Sequence, residues 1–351
     1  MTKLKGFDML NKNIIAIGLA KTTLQVCHIS KDGELLSNKA MSRQRTSEFL
    51  IKSEPSIVAM EGCCGCHYWG RMAEEYGHEV RIINPKKVKR YLEGHKTDNN
   101  DALAIANAAL QIGLKYSKPK SIERQSLQSL ENSRRFLTRS KANLGLHIRG
   151  VLLGYGIVHP KGEKGLSRAV LETIENNILP VPLLKMIGLL WEQYRELKQE
   201  ISKIDVELDG LIINIEECKR LTKLEGVGTS SAVSLYIALG SGEQFQNGRQ
   251  ASAFVGLTPK QHSSGGKAKM VGIDKNGGVK DLRSLLYLGA MSYISRLSRS
   301  KPKTRKDEWI LATLQRVGYK KTCIALANKT VRTAWAILKH NTKYQPEFLT
   351  A

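Results

Sequence analysis

The fold of the first third of the chain is decided by residues 94–106, GHKTDNNDALAIA. Thr97 or Asp98 can cap a helix here, because a short polar side chain satisfies an unpaired backbone N–H. The run 102–110 is rich in Ala and Leu and continues that helix. Asp98 and Asp101 are three residues apart, so they share one face of its first turn. Two such carboxylates can hold a hard cation such as Mg²⁺, although acids also favour helix N-termini through the helix dipole alone.

The residues before this helix predict three strands in a meander, followed by alternating helices and strands. An apolar run is typical of a buried strand, alternation of a half-buried one, and a Gly-containing turn of a hairpin. The predicted strands are 14–19, 24–29, a third near 34–39, 56–61 and 79–83, and the predicted helices are 46–52 and 67–76. This order is that of a ribonuclease-H-like fold, an α/β architecture.

In a ribonuclease-H-like fold, carboxylates from the first strand, the fourth strand and a late helix meet at one edge of the sheet. Glu61 and the pair Asp98 and Asp101 fall at two of these three places. The third place, near position 18 on the first strand, carries Gly18 instead of an acid. The remaining acids would hold one or two Mg²⁺ ions, which stabilise the attacking and leaving oxygens in phosphoryl transfer.

The charge of the chain predicts a polyanionic partner. Lys and Arg number 55 against 32 Asp and Glu, which gives a formal charge of +23. Nucleic acid is the simplest such partner, and an anionic membrane surface is the competing one. No run of 18 apolar residues is present to span a bilayer. Six cysteines without a paired CxxC pattern favour a reducing compartment and argue against zinc, so we expect a cytoplasmic protein.

Two helical segments follow the first domain. Residues 121–155 are basic, and Arg134, Arg135 and Arg139 lie on either a solvated face or a phosphate-contacting one. Residues 183–215 carry apolar side chains spaced alternately by three and four, a period of 3.5 that indicates a coiled-coil seam. Its partner is the 127–151 helix of the same chain, another subunit, or both.

The last third of the chain contains two glycine motifs. A helix end followed by Gly226-Val227-Gly228 and a second helix is the helix–hairpin–helix pattern, in which glycines let backbone N–H groups approach a phosphate. A simple helix end is the alternative. Further on, Ser263-Ser264-Gly265-Gly266 reads as a loop in a positive field, which can place a hydroxyl beside a phosphate. A solvated turn explains its composition equally well. Helices are predicted at 282–297 and 325–338.

Eight segments together resemble one protein family over nearly the whole chain. They are IAIGLAKTTLQVC, VAMEGCCGCHYW, GHKTDNNDALAIANAA, GIVHPKG, LEGVG, FQNGRQASAFVGLTPKQHSSGGK, DLRSLLYLGA and LANKTVRTAWAILK. The family is the DEDD-type transposases of the insertion-sequence one-ten group, especially its eleven-eleven branch, which is related to the Piv DNA invertases. The resemblance implies a RuvC/ribonuclease-H-like domain at 1–120, a basic helix and coiled coil at 121–220, and a mostly helical transposase domain at 221–351.

The resemblance also implies the catalytic residues. The four acids of the family fall on Gly18, Glu61, Asp98 and Asp101, so the first is missing here. The nucleophilic serine falls on Ser264, with the adjacent Ser263 as the second candidate. In the family a noncoding bridge RNA selects donor and target DNA by pairing, and strands are exchanged through a covalent phosphoserine. The resemblance further implies an active site that is composite between subunits, and with it a homodimer and a tetramer in the synapse.

The predicted nucleic-acid contacts are mostly cationic residues and motif glycines. They are Lys96, Arg134, Arg135, Arg139, Gly226, Gly228, Arg249, Lys260, His262, Lys267, Lys269 and Arg283. Two other functions remain open beside recombination. One is a catalytically impaired relative that binds RNA and DNA, because of Gly18. The other is a junction-cutting or ribonuclease-H-type nuclease without covalent chemistry. A recombinase of this kind would be cytoplasmic and nucleoid-associated.

Overall fold

The computed structural model of the protein describes residues 12–111, 113–273 and 277–349, without the side chains of Lys267 and Ala268. The chain forms two compact units, and the boundary lies between Gln125 and Ser126. The division into three regions that the sequence predicts, at 1–120, 121–220 and 221–351, stays a prediction. The sequence also indicates a Gly-rich turn at 272–279, which lies partly outside the described residues.

The first unit is built on a five-stranded sheet. Its strands are β1 (Ile14–Gly18), β2 (Thr23–Ile29), β3 (Leu35–Ser42), β4 (Ile57–Glu61) and β5 (Glu79–Ile83). Their order in the sheet is β3-β2-β1-β4-β5. The first three strands pair antiparallel, while β4 pairs parallel with both β1 and β5. The predicted meander and the helix–strand alternation after it are confirmed.

Helices cover both faces of this sheet. They are α1 (Arg43–Lys52), α2 (Cys66–Glu75), the short α3 (Pro85–Val88) and α4 (Asp98–Ala109). Because side chains alternate along a strand, Ile14 and Ala16 pack toward α4, whereas Ile15 and Ile17 pack toward α1 and α2. The Ala-rich face of α4 lets that helix lie close to the sheet. The central strands β1 and β4 are therefore buried on both sides, whereas the edge strand β3 is largely exposed.

The second unit is mostly helical, as the sequence predicts. Its elements are α5 (Ile122–Gly154, which begins in the first unit), α6 (Glu163–Glu175), α7 (Val181–Ile213), α8 (Glu216–Leu221), α9 (Thr229–Leu239), α10 (Gly248–Val255), β6 (Pro259–Ser264), β7 (Lys267–Ile273), α11 (Lys280–Leu297), α12 (Arg305–Val317) and α13 (Tyr319–His340). The last helix is longer than the predicted 325–338. Asn341 ends it in the left-handed conformation, with φ of 53°. None of the described helices is long and apolar enough to cross a bilayer.

The long helices α5 and α7 pack as an antiparallel pair. Leu127, near the start of α5, contacts the end of α7 around Leu208, and Ile148, near the end of α5, packs with Ile187 at the start of α7. Between them, Arg134 forms an ion pair with Asp205. The predicted partner within the same chain is thus confirmed for the 183–215 segment.

Candidate functional site

Gly18 and Glu61 lie side by side at one edge of the sheet. The parallel register pairs Ile17 with Met60, so the next residues of β1 and β4 are neighbours. Ala16 and Ala59 both pack toward α4, and side chains two residues apart on a strand point the same way. Position 18 and the half-buried Glu61 therefore face α4.

The first turn of α4 brings two more acids to the same face of the sheet. Thr97 is the helix cap, since its side chain accepts a hydrogen bond from the Asn100 backbone N–H at 3.3 Å. Asp98 and Asp101 precede the buried residues Ala102 and Ile105 by four positions, so they extend the sheet-facing side of α4 toward its N-terminus. Asp101 is half-buried and Asp98 is exposed.

These carboxylates do not form a complete metal site. Among the described residues, Glu61, Asp98 and Asp101 make no ion pair, so their negative charges are not balanced by the protein. Oxygen donors of this kind suit a hard divalent cation. Within the described chain, however, no three His, Cys, Asp or Glu side chains lie close enough together to hold a metal ion. The donor set fits such a cation in chemistry, and it lacks the acid expected at position 18.

An amide network that the sequence did not predict lies beside Gly18. Gln25, which pairs with Gly18 in the β1–β2 register, is only 7% exposed. Its Nε2 donates to Asn38 Oδ1 at 2.7 Å and also to Asn99 Oδ1. Asn38 Nδ2 in turn donates to the Asn99 carbonyl at 3.0 Å. Because Asn99 lies between the two acids of α4, the network ties their turn to the sheet.

Nothing in the packing requires glycine at position 18. A Cβ atom there would lie 3.4 Å from Gln25 Cβ and 3.9 Å from Ala102 Cβ, which are ordinary contacts. Gly18 is not among the glycines with positive φ. The fold therefore accommodates a side chain where the acid is missing.

The serine motif is a β-hairpin, which corrects the predicted loop. Ser263 and Ser264 are the last two residues of β6, and only Gly265 and Gly266 form the turn. Both glycines have positive φ, of 56° and 77°, as the tight two-residue turns of hairpins require. All of β6 is exposed. The nucleophile candidates therefore lie on a strand, whose alternation separates them.

The two serines lie on opposite faces of the hairpin. Ser264 shares its face with Lys260 and His262 on β6, and with Lys269, which pairs with His262 across the ladder. Ser263 pairs with Ala268 and lies on the other face. Lys267 pairs with Ser264 through the backbone, while its side chain lies outside the described part. Ser264 therefore lies on the face of the hairpin that carries the basic side chains, and Ser263 does not.

The arginines of α5 are partly neutralised by acids. Arg134 pairs with Asp205, and Arg135 lies 2.5 Å from an Asp281 carboxylate oxygen. Arg139 also reaches Asp281, at 3.0 Å, but its side chain stays 70% exposed. These contacts give Arg134 and Arg135 a structural task between helices, and leave Arg139 the most accessible of the three.

Five other predicted contacts differ in accessibility. Arg283 is 7% exposed and its Nη1 donates to the Gly277 and Gly256 carbonyls at 2.7 and 3.3 Å, which leaves little access for a phosphate. Gly226 packs against α11, where a Cβ would lie 2.6 Å from the Gly289 oxygen. Gly228 has open space around it at the start of α9. Lys96 and Arg249 are exposed.

Comparison with known proteins finds family matches for two regions of the chain. Residues 15–157 match the DEDD transposase family of the IS110 type, and residues 218–306 match the transposase IS116/IS110/IS902 family. The chain is 34% identical over 340 residues to a probable family 20 transposase of Pseudomonas aeruginosa, covering 96% of this chain and 100% of that one. The chain belongs to the IS110/IS116/IS902 family of transposases. The first match contains the four acid positions, and the second contains the hairpin.

Other relatives of this transposase match nearly its full length. The transposase for insertion sequence element IS1111A of Coxiella burnetii is 32% identical, with 96% of this chain and 93% of that one covered. A pilin gene-inverting protein of Moraxella bovis is 22% identical, with 95% and 97% covered. Family membership implies DNA cleavage and recombination, and DEDD-type transposases usually use a divalent metal.

Proposed function

We propose that this transposase is an RNA-guided recombinase of an insertion sequence, which cuts and rejoins DNA through a phosphoserine at Ser264. The observation that carries the proposal is the hairpin face that groups Ser264 with Lys260, His262 and Lys269. A hydroxyl in a positive field is more easily deprotonated, and the same field stabilises the charge that develops on an attacked phosphate. Ser263, on the other face, lacks this environment.

The proposed step conserves the number of phosphodiester bonds. Ser264 Oγ attacks the scissile phosphorus, the bond from phosphorus to the leaving strand breaks, and the freed oxygen takes a proton. The hydroxyl end of the partner strand then attacks the phosphoserine and releases the serine. No external energy source is needed, because each bond broken is replaced by an equivalent one.

The first unit supplies the metal-binding acids in this proposal. The strand order β3-β2-β1-β4-β5, with α4 against β1, supports a RuvC/ribonuclease-H-like assignment of residues 1–120. Glu61, Asp98 and Asp101 would hold Mg²⁺, which when bound stabilises charge on the attacking and leaving oxygens. That these acids make no ion pair within the described part of the chain supports this role.

RNA guidance suits the charge of the protein. A bridge RNA would choose donor and target DNA by base pairing and leave the protein to hold backbones. The formal charge of +23 favours such contacts, and we include among them Lys96, Arg139, Arg249 and the open Gly228 of a helix–hairpin–helix-like turn. Residues 121–220 would act as a coiled coil that joins protomers into a dimer and, in the synapse, a tetramer with composite active sites. The complex would act in the bacterial cytoplasm at the nucleoid.

A catalytically impaired, nucleic-acid-binding relative is the second candidate. The observation that favours it is the lack of any three-ligand metal group among the described residues, together with Gly18 at the place of the first acid. This candidate predicts tight, salt-dependent binding of RNA and DNA without strand cleavage.

A covalent-adduct assay separates these functions. The protein is mixed with the noncoding RNA that flanks its element, labelled donor and target DNA, and Mg²⁺, and an SDS-stable protein–DNA band is sought. The band should be lost in Ser264→Ala and kept in Ser263→Ala, the matched control on the opposite face. Loss in both variants or in neither would reject Ser264 as the nucleophile. Intact binding with no band in the unaltered protein would favour the impaired relative.

A further inference from the structure

A large cleft opens in the second unit beside the base of the hairpin. It measures about 1540 Å³ and is walled by α13, the first turn of α10 and the outer part of β7. Five of its lining side chains are cationic, and none of its described lining residues is Asp or Glu. The five are Arg249, Lys320, Lys321, Lys329 and Arg332. A cleft lined by one sign of charge concentrates ligands of the opposite sign.

Two arginines of the cleft are available to a ligand. Arg249 and Arg332 are exposed, and within the described chain neither forms an ion pair. This differs from α5, where Arg134 and Arg135 are held by carboxylates. Arg249 also lies in the first turn of α10, whose positive dipole end adds to the attraction for phosphate. The cleft therefore offers charge that the protein itself does not use.

Apolar surface in the same cleft indicates more than phosphate binding. Met270 is 60% exposed, and Trp309 and Ile324 also line the cleft. Lys329 Nζ lies 4.3 Å from the centre of the Trp309 ring, which fixes a cation beside an aromatic surface. Proteins that bind single strands combine a positive groove with flat side chains on which bases stack. A duplex keeps its base faces hidden, so this lining suits unpaired nucleotides.

The position of the cleft connects it to Ser264. β6 and β7 border the cleft at Pro259 and Ile273, and the same two strands run from there to Ser264. Five residue steps along β6 correspond to roughly 17 Å. Of the β7 residues that line the cleft, Val271 pairs with Lys260 on the face of Ser264, whereas Met270 pairs with Gln261 on the face of Ser263. A strand that fills the cleft can therefore follow the Val271 face to the hairpin tip after a short span of backbone.

We propose that this cleft binds an unpaired segment of the DNA strand that Ser264 attacks, with Arg249 and Arg332 on its phosphates and bases against Met270 and Trp309. This inference rests on the proposed role of Ser264. It assigns the cleft to the strand being cut, and leaves duplex DNA and guide RNA to other surfaces.

Binding of a fluorescein-labelled 20-nucleotide oligo-dT by the full-length protein in EDTA tests the cleft without any chemistry. The double variant Arg249→Ala/Arg332→Ala should bind it about tenfold or more weakly. The slope of log K against log salt should fall by about 1.4, because each phosphate contact on a single strand contributes about 0.7. The matched control is Arg299→Ala/Arg316→Ala, which removes the same charge from exposed positions outside the cleft lining and should change affinity less than twofold.

Three outcomes would overturn the inference. Equal loss in the test and control variants would mean a general charge effect. Equal loss for a duplex of the same length would remove the assignment to unpaired DNA. Loss for oligo-U RNA alone would move the cleft to the RNA. Met270→Asp, an exposed change that places an acid in the cleft, provides a second test and should weaken oligo-dT binding as well. Because these measurements need no adduct, failure at Ser264 would show only in the adduct assay, and failure of the cleft only here.

Discussion

The acid edge of the first unit, formed by position 18, Glu61, Asp98 and Asp101, and the serine hairpin of the second unit, formed by β6 and β7, are built in opposite ways. Gly18 and Glu61 end strands whose preceding side chains are fully buried, and α4 is packed and hydrogen-bonded onto the same sheet. Every residue of β6, by contrast, is exposed, and the hairpin is a two-stranded sheet of its own. A group that must bind a cation in fixed geometry needs the first kind of support. A nucleophile that must meet a large substrate suits the second.

The largest expected effect is at the acid edge. Asp101→Asn keeps the shape of the side chain but removes a charge that balances a cation, so we expect Mg²⁺-dependent strand cleavage to fall about 10³-fold, equivalent to about 4 kcal/mol. The matched control is Asp32→Asn, an exposed acid in the β2–β3 turn. Cleavage rates at saturating Mg²⁺ measure the effect. Full activity of Asp101→Asn would remove the acid edge from the mechanism.

Restoring the missing acid should act in the other direction. Gly18→Asp adds a side chain where a Cβ meets only ordinary contacts, so the fold should be kept. A further carboxylate should raise cleavage about 10- to 100-fold and lower the Mg²⁺ concentration for half-maximal rate. Gly18→Asn adds the same volume without charge and is the control. An equal gain with Asn would mean that strand stiffening, not metal binding, limits the activity.

The elements of the acid edge could be predicted because their signals are local. The Thr97 cap, the Ala-rich helix after it and the apolar strands each fix their own backbone, and parallel pairing then brings the strand ends together. The amide network could not be predicted, because Gln25, Asn38 and Asn99 are far apart in the chain and meet only after the sheet and α4 pack. Polar side chains in predicted strands were its only signal.

The hairpin differs from the predicted loop for another reason. Ser263-Ser264-Gly265-Gly266 has the composition of a loop, and the polar residues before it hide the period of two. The two adjacent glycines, which supply positive φ at both turn positions, were the available signal for a hairpin. The cleft beside it depends on α10, β7 and α13, separated by many residues in sequence, so no local pattern reports it.

A smaller effect is expected from the turn of the hairpin. Gly265→Ala places a Cβ in a residue with φ of 56°, which costs about 1 kcal/mol or slightly more. We expect adduct formation to fall about fivefold while the Mg²⁺ dependence stays unchanged, because the strain is confined to the hairpin. The control is Gly188→Ala in α7, where the added methyl group meets open space. A changed Mg²⁺ dependence would show that the two regions are coupled.

The smallest effect concerns pH and should touch only the first unit. His67, in α2, accepts a hydrogen bond at Nδ1 from the Lys120 backbone N–H at 3.3 Å. Burial, with the nearby charges of Lys120, Arg71 and Arg124, lowers the pKa of His67 to about 4. In the unfolded chain this imidazole takes up a proton near its ordinary pKa of 6.5. The stability linked to His67 is therefore complete above pH 6.5 and is lost as the pH falls toward 4.

His67→Gln should consequently show a smaller fall in thermal midpoint than the unaltered protein when the pH is lowered from 7.5 to 5.0, by a few degrees at most. His147→Gln, at an exposed position in α5, should follow the unaltered protein. If both variants behave alike, His67 is not protected from protonation in the folded state. If His67→Gln also changes oligo-dT binding by the second unit at pH 5.0, acidification acts beyond the unit that holds the acid edge. Unchanged binding would mean that the effect of acidification at His67 is confined to the first unit.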